Sequence, residues 1–137
     1  MQFHAGRLID HVHLNVADLD RAAAFYSAVL EALELPAGNH SDYAFQADEL
    51  YISRPGPNQQ ISKVHLAFQA RDEAMVRRFY DAALAAGGTD NGGPGERSYH
   101  PGYYAAFVFD PDGNNIEAVT HGKEKRSAPS VIREPLP

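Results

Sequence analysis

His11-Val12-His13-Leu14-Asn15-Val16-Ala17-Asp18 reads as a strand leading into a helix cap, and His65-Leu66-Ala67-Phe68-Gln69-Ala70-Arg71-Asp72 repeats it. At one fixed offset His11 matches His65, Asp18 matches Asp72, Phe25 matches Phe79 and Tyr26 matches Tyr80. Ala28/Ala82, Leu30/Leu84 and Ala32/Ala86 extend the match. A duplicated strand–helix unit with a histidine at the same phase of both first strands can aim two imidazoles at one point. A metal site is therefore the first hypothesis.

Alternation predicts a first strand over Leu8–Val16, with Val12, Leu14 and Val16 on one face and His11, His13 and Asn15 on the other. The same split recurs at Val64–Ala70, where His65, Ala67 and Gln69 oppose Val64, Leu66, Phe68 and Ala70. Sheets with one apolar and one polar face pack the apolar face on helices, so both histidines look toward water or a cavity. Asp18 caps a helix predicted over Leu19–Leu35, with Ala22, Phe25, Tyr26, Val29 and Leu33 at helical spacing and Pro36 as its terminator. Asp72 does the same for Glu73–Ala86, whose buried stripe is Val76, Phe79, Tyr80 and Ala83 and whose stop is Gly87-Gly88.

Tyr43–Gln46 and Leu50–Arg54 read as short strands, and Pro55-Gly56-Pro57-Asn58 as the linker between modules. The Gly/Pro-rich loop Thr89–Gly102 is long enough for a functional lid. Tyr103–Phe109 and Asn115–His121 pair through the turn Asp110-Pro111-Asp112-Gly113. The fold expected is α+β: two tandem βαβββ modules, about 8–56 and 61–121, whose sheets join into one curved mixed sheet with the helices outside. A single domain covers 1–137, and the charged tail 122–137 is a loose extension or a strap over a partner subunit.

The 137 residues suffice for a core without staples, and 44% hydrophobic with 22% charged residues is an ordinary globular balance. A net charge of -6 and the lack of any basic–aromatic cluster argue against a nucleic-acid partner. With no cysteine, disulfides, thiolate ligands and a cysteine nucleophile are excluded. The opening MQFHAGRLID has no apolar core of a signal peptide, and no run reaches the ~18 apolar residues of a membrane span. The expectation is a cytoplasmic protein without a membrane partner.

Two histidines and a carboxylate suit a borderline divalent ion and leave positions open for substrate and water. His11 and His65 supply the imidazoles. Glu117, flanked by Ile116 and Ala118 in Asn-Ile-Glu-Ala-Val-Thr, is the best carboxylate, since a charge in mid-strand needs a reason. The bland alternative makes all three ordinary polar-face residues. His13 and Asn15 share His11's face and are candidate substrate contacts. His100, Tyr103 and Tyr104 end the long loop, where a histidine beside phenols can serve as general acid or base at a cavity mouth; an aromatic turn packing the loop down is the alternative. Arg54 is assigned to the surface, His121 to the rim, and His4 and His40 to exposed positions without a role. No phosphate-binding glycine loop and no nucleophile elbow is present.

These residues resemble the vicinal-oxygen-chelate, or glyoxalase/bleomycin-resistance/dioxygenase, superfamily over roughly residues 8 to 121. The resemblance rests on His11-x-x-Leu14-x-Val16-x-Asp18, on Phe25-Tyr26 followed by Leu30, and on His65. Its most specific part is Phe107-Val108-Phe109-Asp110-Pro111-Asp112-Gly113-Asn114-Asn115-Ile116-Glu117. It implies a cup-shaped sheet holding one divalent metal ion (Zn, Ni, Mn or Fe) that two oxygens of a small-molecule substrate chelate. His11, His65 and Glu117 match the metal positions of fosfomycin-resistance thiol transferases and extradiol dioxygenases. The fourth ligand of glyoxalase I falls on Tyr51, a candidate substrate contact here, with Glu49 as the nearest carboxylate.

The resemblance implies a metal-dependent enzyme; Glu117, and from their place at the end of the loop His100 and Tyr103, are the residues expected to take catalytic parts. Lyase or isomerase chemistry on an α-oxo compound is favoured over thiol transfer to an epoxide and catechol dioxygenation. A metal-free binding protein like the bleomycin-resistance proteins is the rival, and a vestigial metal site the third reading. Short two-module chains of this family pair, so a homodimer is implied, with modules from two subunits completing each cup.

Overall fold

The computed structural model describes every residue except Arg7 and Pro129, the latter within the expected tail. Among the described residues eleven elements follow one another: β1 Val12–Asn15, α1 Leu19–Ala32, β2 Asn39–His40, β3 Ala44–Ala47, β4 Leu50–Ser53, β5 His65–Gln69, α2 Glu73–Ala85, β6 Thr89–Asp90, β7 Gly95–Glu96, β8 Tyr104–Phe109 and β9 Asn115–Thr120. The duplication seen in the sequence is a duplication of topology. In the first module β1 runs parallel to β4, and β3 then β2 add antiparallel. In the second β5 runs parallel to β9, and β8 then β6 add antiparallel, with β7 also on β8.

The α+β class and the paired modules are as expected, but the strands do not join into one sheet: they form two separate mixed sheets, β1-β4-β3-β2 and β5-β9-β8-β6 with β7 also on β8. Where the modules meet, Ser62 N–H donates to the Asn15 carbonyl at 2.9 Å and Asn15 N–H donates to Ser62 Oγ at 2.8 Å. The link from β1 to the chain before β5 stops at Ser62, because the chain between β4 and β5 forms no strand that could extend a ladder.

Both helices begin as the carboxylates dictate. Asp18 accepts from Arg21 N–H at 3.1 Å and Asp72 from Met75 N–H at 2.9 Å, each answering an N–H the first helical turn leaves unpaired. Helix α1 ends at Ala32, three residues before the expected Leu35, because the chain turns left-handed at Glu34 (φ 56). Leu35 N–H then reaches back to Leu30 O at 3.0 Å and Glu34 N–H to Glu31 O, closing the end without Pro36. Helix α2 closes identically at Gly87 (φ 102), with Gly88 N–H on Ala83 O at 2.8 Å.

The repeat-matched Phe25 and Phe79 are fully buried together with Tyr26, Val29 and Val76, between the helices and the apolar sheet faces carrying Leu14, Ile52, Val108, Ile116 and Ala118. The polar faces lie on the other side of both sheets. Strand β1 is shorter than its alternation implied. Its ladder begins with Val12 N–H on Glu49 O, and Leu8 and Ile9, with no strand beside them, are exposed. The stretch 89–102 is not a free lid along its length, since β6 and β7 pin it to the edge of β8. The tail carries no helix or strand among its described residues, and Arg126 ties it to the Gln69 side chain.

Candidate active site

Glu117 is the centre of the second module's polar face. Its neighbours Ile116 and Ala118 point into the helix-facing core, so alternation sends its carboxylate the other way. The side chain is nonetheless almost wholly buried, and no lysine or arginine pairs with it among the described residues. Its partners are an imidazole and a phenol. His65 Nε2 lies 2.8 Å from Oε1, and the Tyr103 hydroxyl donates to Oε2. Burial above all, then the hydrogen bond to Glu117 and that carboxylate's charge, hold the Tyr103 phenol above its ordinary range. Tyr103 therefore keeps its proton at neutral pH and acts as a donor that fixes the carboxylate.

The register places Phe107 directly across from Glu117 on β8 and Ala67 across from it on β5. The Phe107 ring lies 6.0 Å from the His65 ring, and the Arg97 guanidinium sits over its face at 5.3 Å. At the rim, Tyr103 packs edge-on against Tyr99, His100 and His121. His100 Nδ1 lies 2.8 Å from the Pro101 carbonyl, which can only accept, so the proton is on Nδ1. His100 Nε2 is then the acceptor for the N–H of His121 Nδ1, 2.9 Å away. The expected His100 and Tyr103 thus stand together beside Glu117, joined by His121.

The first module presents a parallel face. By register Tyr51 holds the place in β4 that Glu117 holds in β9, opposite His13 where the second module has Ala67. His13 packs edge-on against Tyr51 at 4.9 Å and bonds Ser53 Oγ at 2.7 Å. Asn15 shares the face, and its buried Oδ1 has no hydrogen-bond partner among the described residues. His11 stands just before β1, its side chain 69% exposed, with Nδ1 on Asp10 Oδ1 at 2.8 Å. Glu49 is exposed.

The structure brings His65, Glu117, Tyr103 and His100 together and leaves His11, His13, Asn15 and Tyr51 on the other module's face. Among the described residues of one chain, no three His, Asp or Glu side chains are grouped to hold a metal ion. Tyr104 corrects an expectation. It lies on the helix-facing side of β8, packed against the core with its hydroxyl accepting from Arg77, because it shares the phase of Ala106 and Val108. It faces away from any substrate on the polar face. Arg97 and Phe107 were not singled out in the sequence. Arg97 follows a glycine-rich loop whose course is invisible without the β7–β8 pairing, and Phe107 reads as one more apolar strand residue until its register with Glu117 is known.

The specific Asp110–Asn114 segment turns out to brace the modules. Asp110 is buried and accepts from the Tyr26 hydroxyl of α1 at 2.7 Å, and Asp112 Oδ1 accepts from Ala17 N–H at 3.1 Å, while within the second module Asn114 Oδ1 accepts from Val64 N–H at 2.8 Å.

Comparison with known proteins agrees with this architecture. The family model described as Glyoxalase/Bleomycin resistance protein/Dioxygenase superfamily matches residues 8–118. A glyoxalase/bleomycin resistance protein from Albidiferax ferrireducens is 30% identical, covering 82% of this chain and 98% of that one at a TM-score of 0.72. A glyoxalase I mutant from Zea mays is 26% identical over 81% of this chain and 45% of that longer one, with a TM-score of 0.57. A glyoxalase-related enzyme from Fulvimarina pelagi, 20% identical over 82% of this chain and 87% of that one, shares the fold at a TM-score of 0.59. No curated protein matches. The chain belongs to the glyoxalase/bleomycin resistance protein/dioxygenase superfamily. No described helix is long and apolar enough to cross a membrane.

Proposed function

We propose that the protein is a divalent-metal enzyme of this superfamily acting on a small α-oxo compound, in a lyase or isomerase reaction. The observation that carries the reading is the convergence of His65 Nε2 and Glu117 Oε1 at 2.8 Å from adjacent paired strands, with Tyr103 holding the other carboxylate oxygen. One imidazole nitrogen and one buried carboxylate, with no arginine or lysine to neutralise it, fit a borderline divalent cation. A bound ion would supply Lewis acidity toward two adjacent substrate oxygens.

The third ligand is His11 of a second copy in a homodimer. His11 is exposed, and its Nδ1 contact with Asp10 leaves Nε2 as the lone pair, the arrangement in which a carboxylate orients a ligating histidine. Each chain then brings two half-cups: His11, His13, Asn15 and Tyr51 on one, His65, Glu117, Tyr103 and His100 on the other. Closing two such halves would give the buried Asn15 Oδ1 a substrate donor to accept from.

The chain's own groups divide the work. Tyr103 orients Glu117, and the Phe107 ring walls the site against water. In the His100–His121 pair the His121 Nδ1 N–H donates to His100 Nε2, a hydrogen-bonded imidazole pair along which the proton that α-oxo chemistry must move could pass. The test is elemental analysis of the purified protein and of His65→Ala, followed by α-oxo substrate screening. Stoichiometric metal lost in His65→Ala is expected. No metal in either sample would overturn the reading and leave a metal-free binding protein.

A further inference from the structure

Arg97 is the one half-buried arginine of the described residues; every other is exposed. Its surroundings are odd for a cation. Arg71, Arg77, Arg126 and Arg133 each have carboxylate partners, and Arg21, Arg54 and Arg78, which have none, are exposed to water, whereas Arg97 is half-buried with no carboxylate of the described residues paired to it. Its Nη2 donates to Gly93 O at 2.8 Å and Nη1 to Glu96 O at 3.3 Å. These carbonyls use two of the five N–H donors a guanidinium offers and neutralise none of its charge. A partly desolvated charge without a counterion is costly unless something anionic joins it.

The position is built. Gly92 and Gly95 line the guanidinium closely: an added Cβ would stand 3.3 and 3.1 Å from Arg97 nitrogens, which would have to give by a few tenths of an ångström. Arg97 N–H is anchored to Tyr103 O at 2.9 Å, and the cation lies over the Phe107 ring. Phe107 is the cross-strand neighbour of Glu117, about 5 Å away in the plane of a sheet. The cation therefore overlooks the same polar face as His65 and Glu117, within the span of a small molecule.

We propose that Arg97 binds an oxyanion of the substrate, a carboxylate, phosphonate or phosphate separate from the two chelating oxygens. The assignment of that anion to a substrate rests on the metal-enzyme reading above; the anion site itself does not. It makes the substrate class anionic although the protein carries a net charge of -6. The attraction is local to the Arg97 guanidinium over the Phe107 ring, since Glu117 on the same face carries the opposite charge.

The test uses full-length protein stripped of divalent metal by a chelator, with inorganic phosphate as the probe and the arginine Nε–H resonances as the readout. Phosphate is expected to shift the Arg97 resonance saturably. Arg97→Gln should weaken phosphate by about tenfold, the size of one lost charge-assisted hydrogen bond, and Arg97→Lys by less. Arg54→Gln, at an exposed arginine held by the Asp42 carbonyl, should leave affinity unchanged. An unmoved Arg97 resonance at saturating phosphate overturns the proposal, and so does equal affinity in Arg97→Gln. Should Arg97→Gln not fold, the resonance of the native chain decides. Because metal is absent throughout, failure here strikes Arg97 alone, and failure to bind metal strikes the catalytic reading alone.

Discussion

The Tyr26 hydroxyl donates to Asp110 Oδ2 at 2.7 Å, tying the first helix to the turn between the last two strands. Asp110 Oδ1 accepts from the N–H groups of Asp112 and Asn114, and Oδ2 also from Asn114 Nδ2, so one buried carboxylate organises the turn and its docking. Tyr26→Phe leaves this anion short of one donor. The expected loss is about 1.5–3 kcal/mol, the range for hydrogen bonds to charged groups. Urea unfolding checks it, with a lower midpoint at unchanged slope.

The same phenol makes the protein sensitive to alkali. Burial, then the charge and hydrogen bond of Asp110, raise Tyr26 well above its ordinary value of 10.0. Its contribution is complete below the unfolded pKa. Above about pH 10 the unfolded chain loses the proton while the folded one keeps it, so stability falls with rising pH by up to ~1.4 kcal/mol per unit. The pH dependence of unfolding above 10 should flatten in Tyr26→Phe. An identical slope in both proteins would refute this.

Gly88 is required for space. A Cβ there would stand 2.7 Å from Ala83 O and 2.9 Å from the Phe25 ring, inside the closure of the second helix and against the core. Gly88→Ala is expected to cost roughly 1–3 kcal/mol, as overpacking does. Gly93→Ala, which meets nothing within 4 Å, is the control. Thermal unfolding of the pair separates them.

Mixing chains tests where the metal ligands come from. On the proposed ligand set, His11→Ala and Glu117→Ala are each expected to abolish metal binding when assayed alone. If sites form between chains, co-refolding equal amounts restores about a quarter of the wild-type metal, since half of the dimers are mixed and each has one intact site of two. Metal analysis of the mixture reads this directly, and no recovery would place all ligands on one chain or none.

Tyr103→Phe frees one oxygen of Glu117 while leaving the ring packing of Tyr99, His100 and His121 intact. Divalent-metal affinity is expected to fall by roughly 10–100-fold, as when an outer partner of a ligand is removed. Competition with a chelating dye measures it, and an unchanged circular dichroism spectrum shows that the fold persists.

Much of this architecture was legible in the chain. Asp18 and Asp72 cap helices because a carboxylate before an apolar stripe has nearby N–H groups to satisfy, a local matter. His65 and Glu117 were legible because alternation sends them opposite to Leu66 and Ile116. Tyr104 misled, since one residue of phase at the strand start decides which face it takes, and only the β8–β9 register fixes that phase. The end of the first helix misled as well, because Glu34 adopted the left-handed conformation before Pro36 was reached.

By itself the sequence determined the repeat, the helix starts and the polar faces, all set by neighbours within a few residues. Tertiary structure alone decided that Phe107 and Arg97 stand beside Glu117, that Tyr103 grips its second oxygen, and that Asp110 serves the joint between modules. It also left His11 on a different face from His65, despite their shared place in the repeat. Such pairings depend on strand register and module packing, and these are chosen by the burial of the whole core rather than by any one segment.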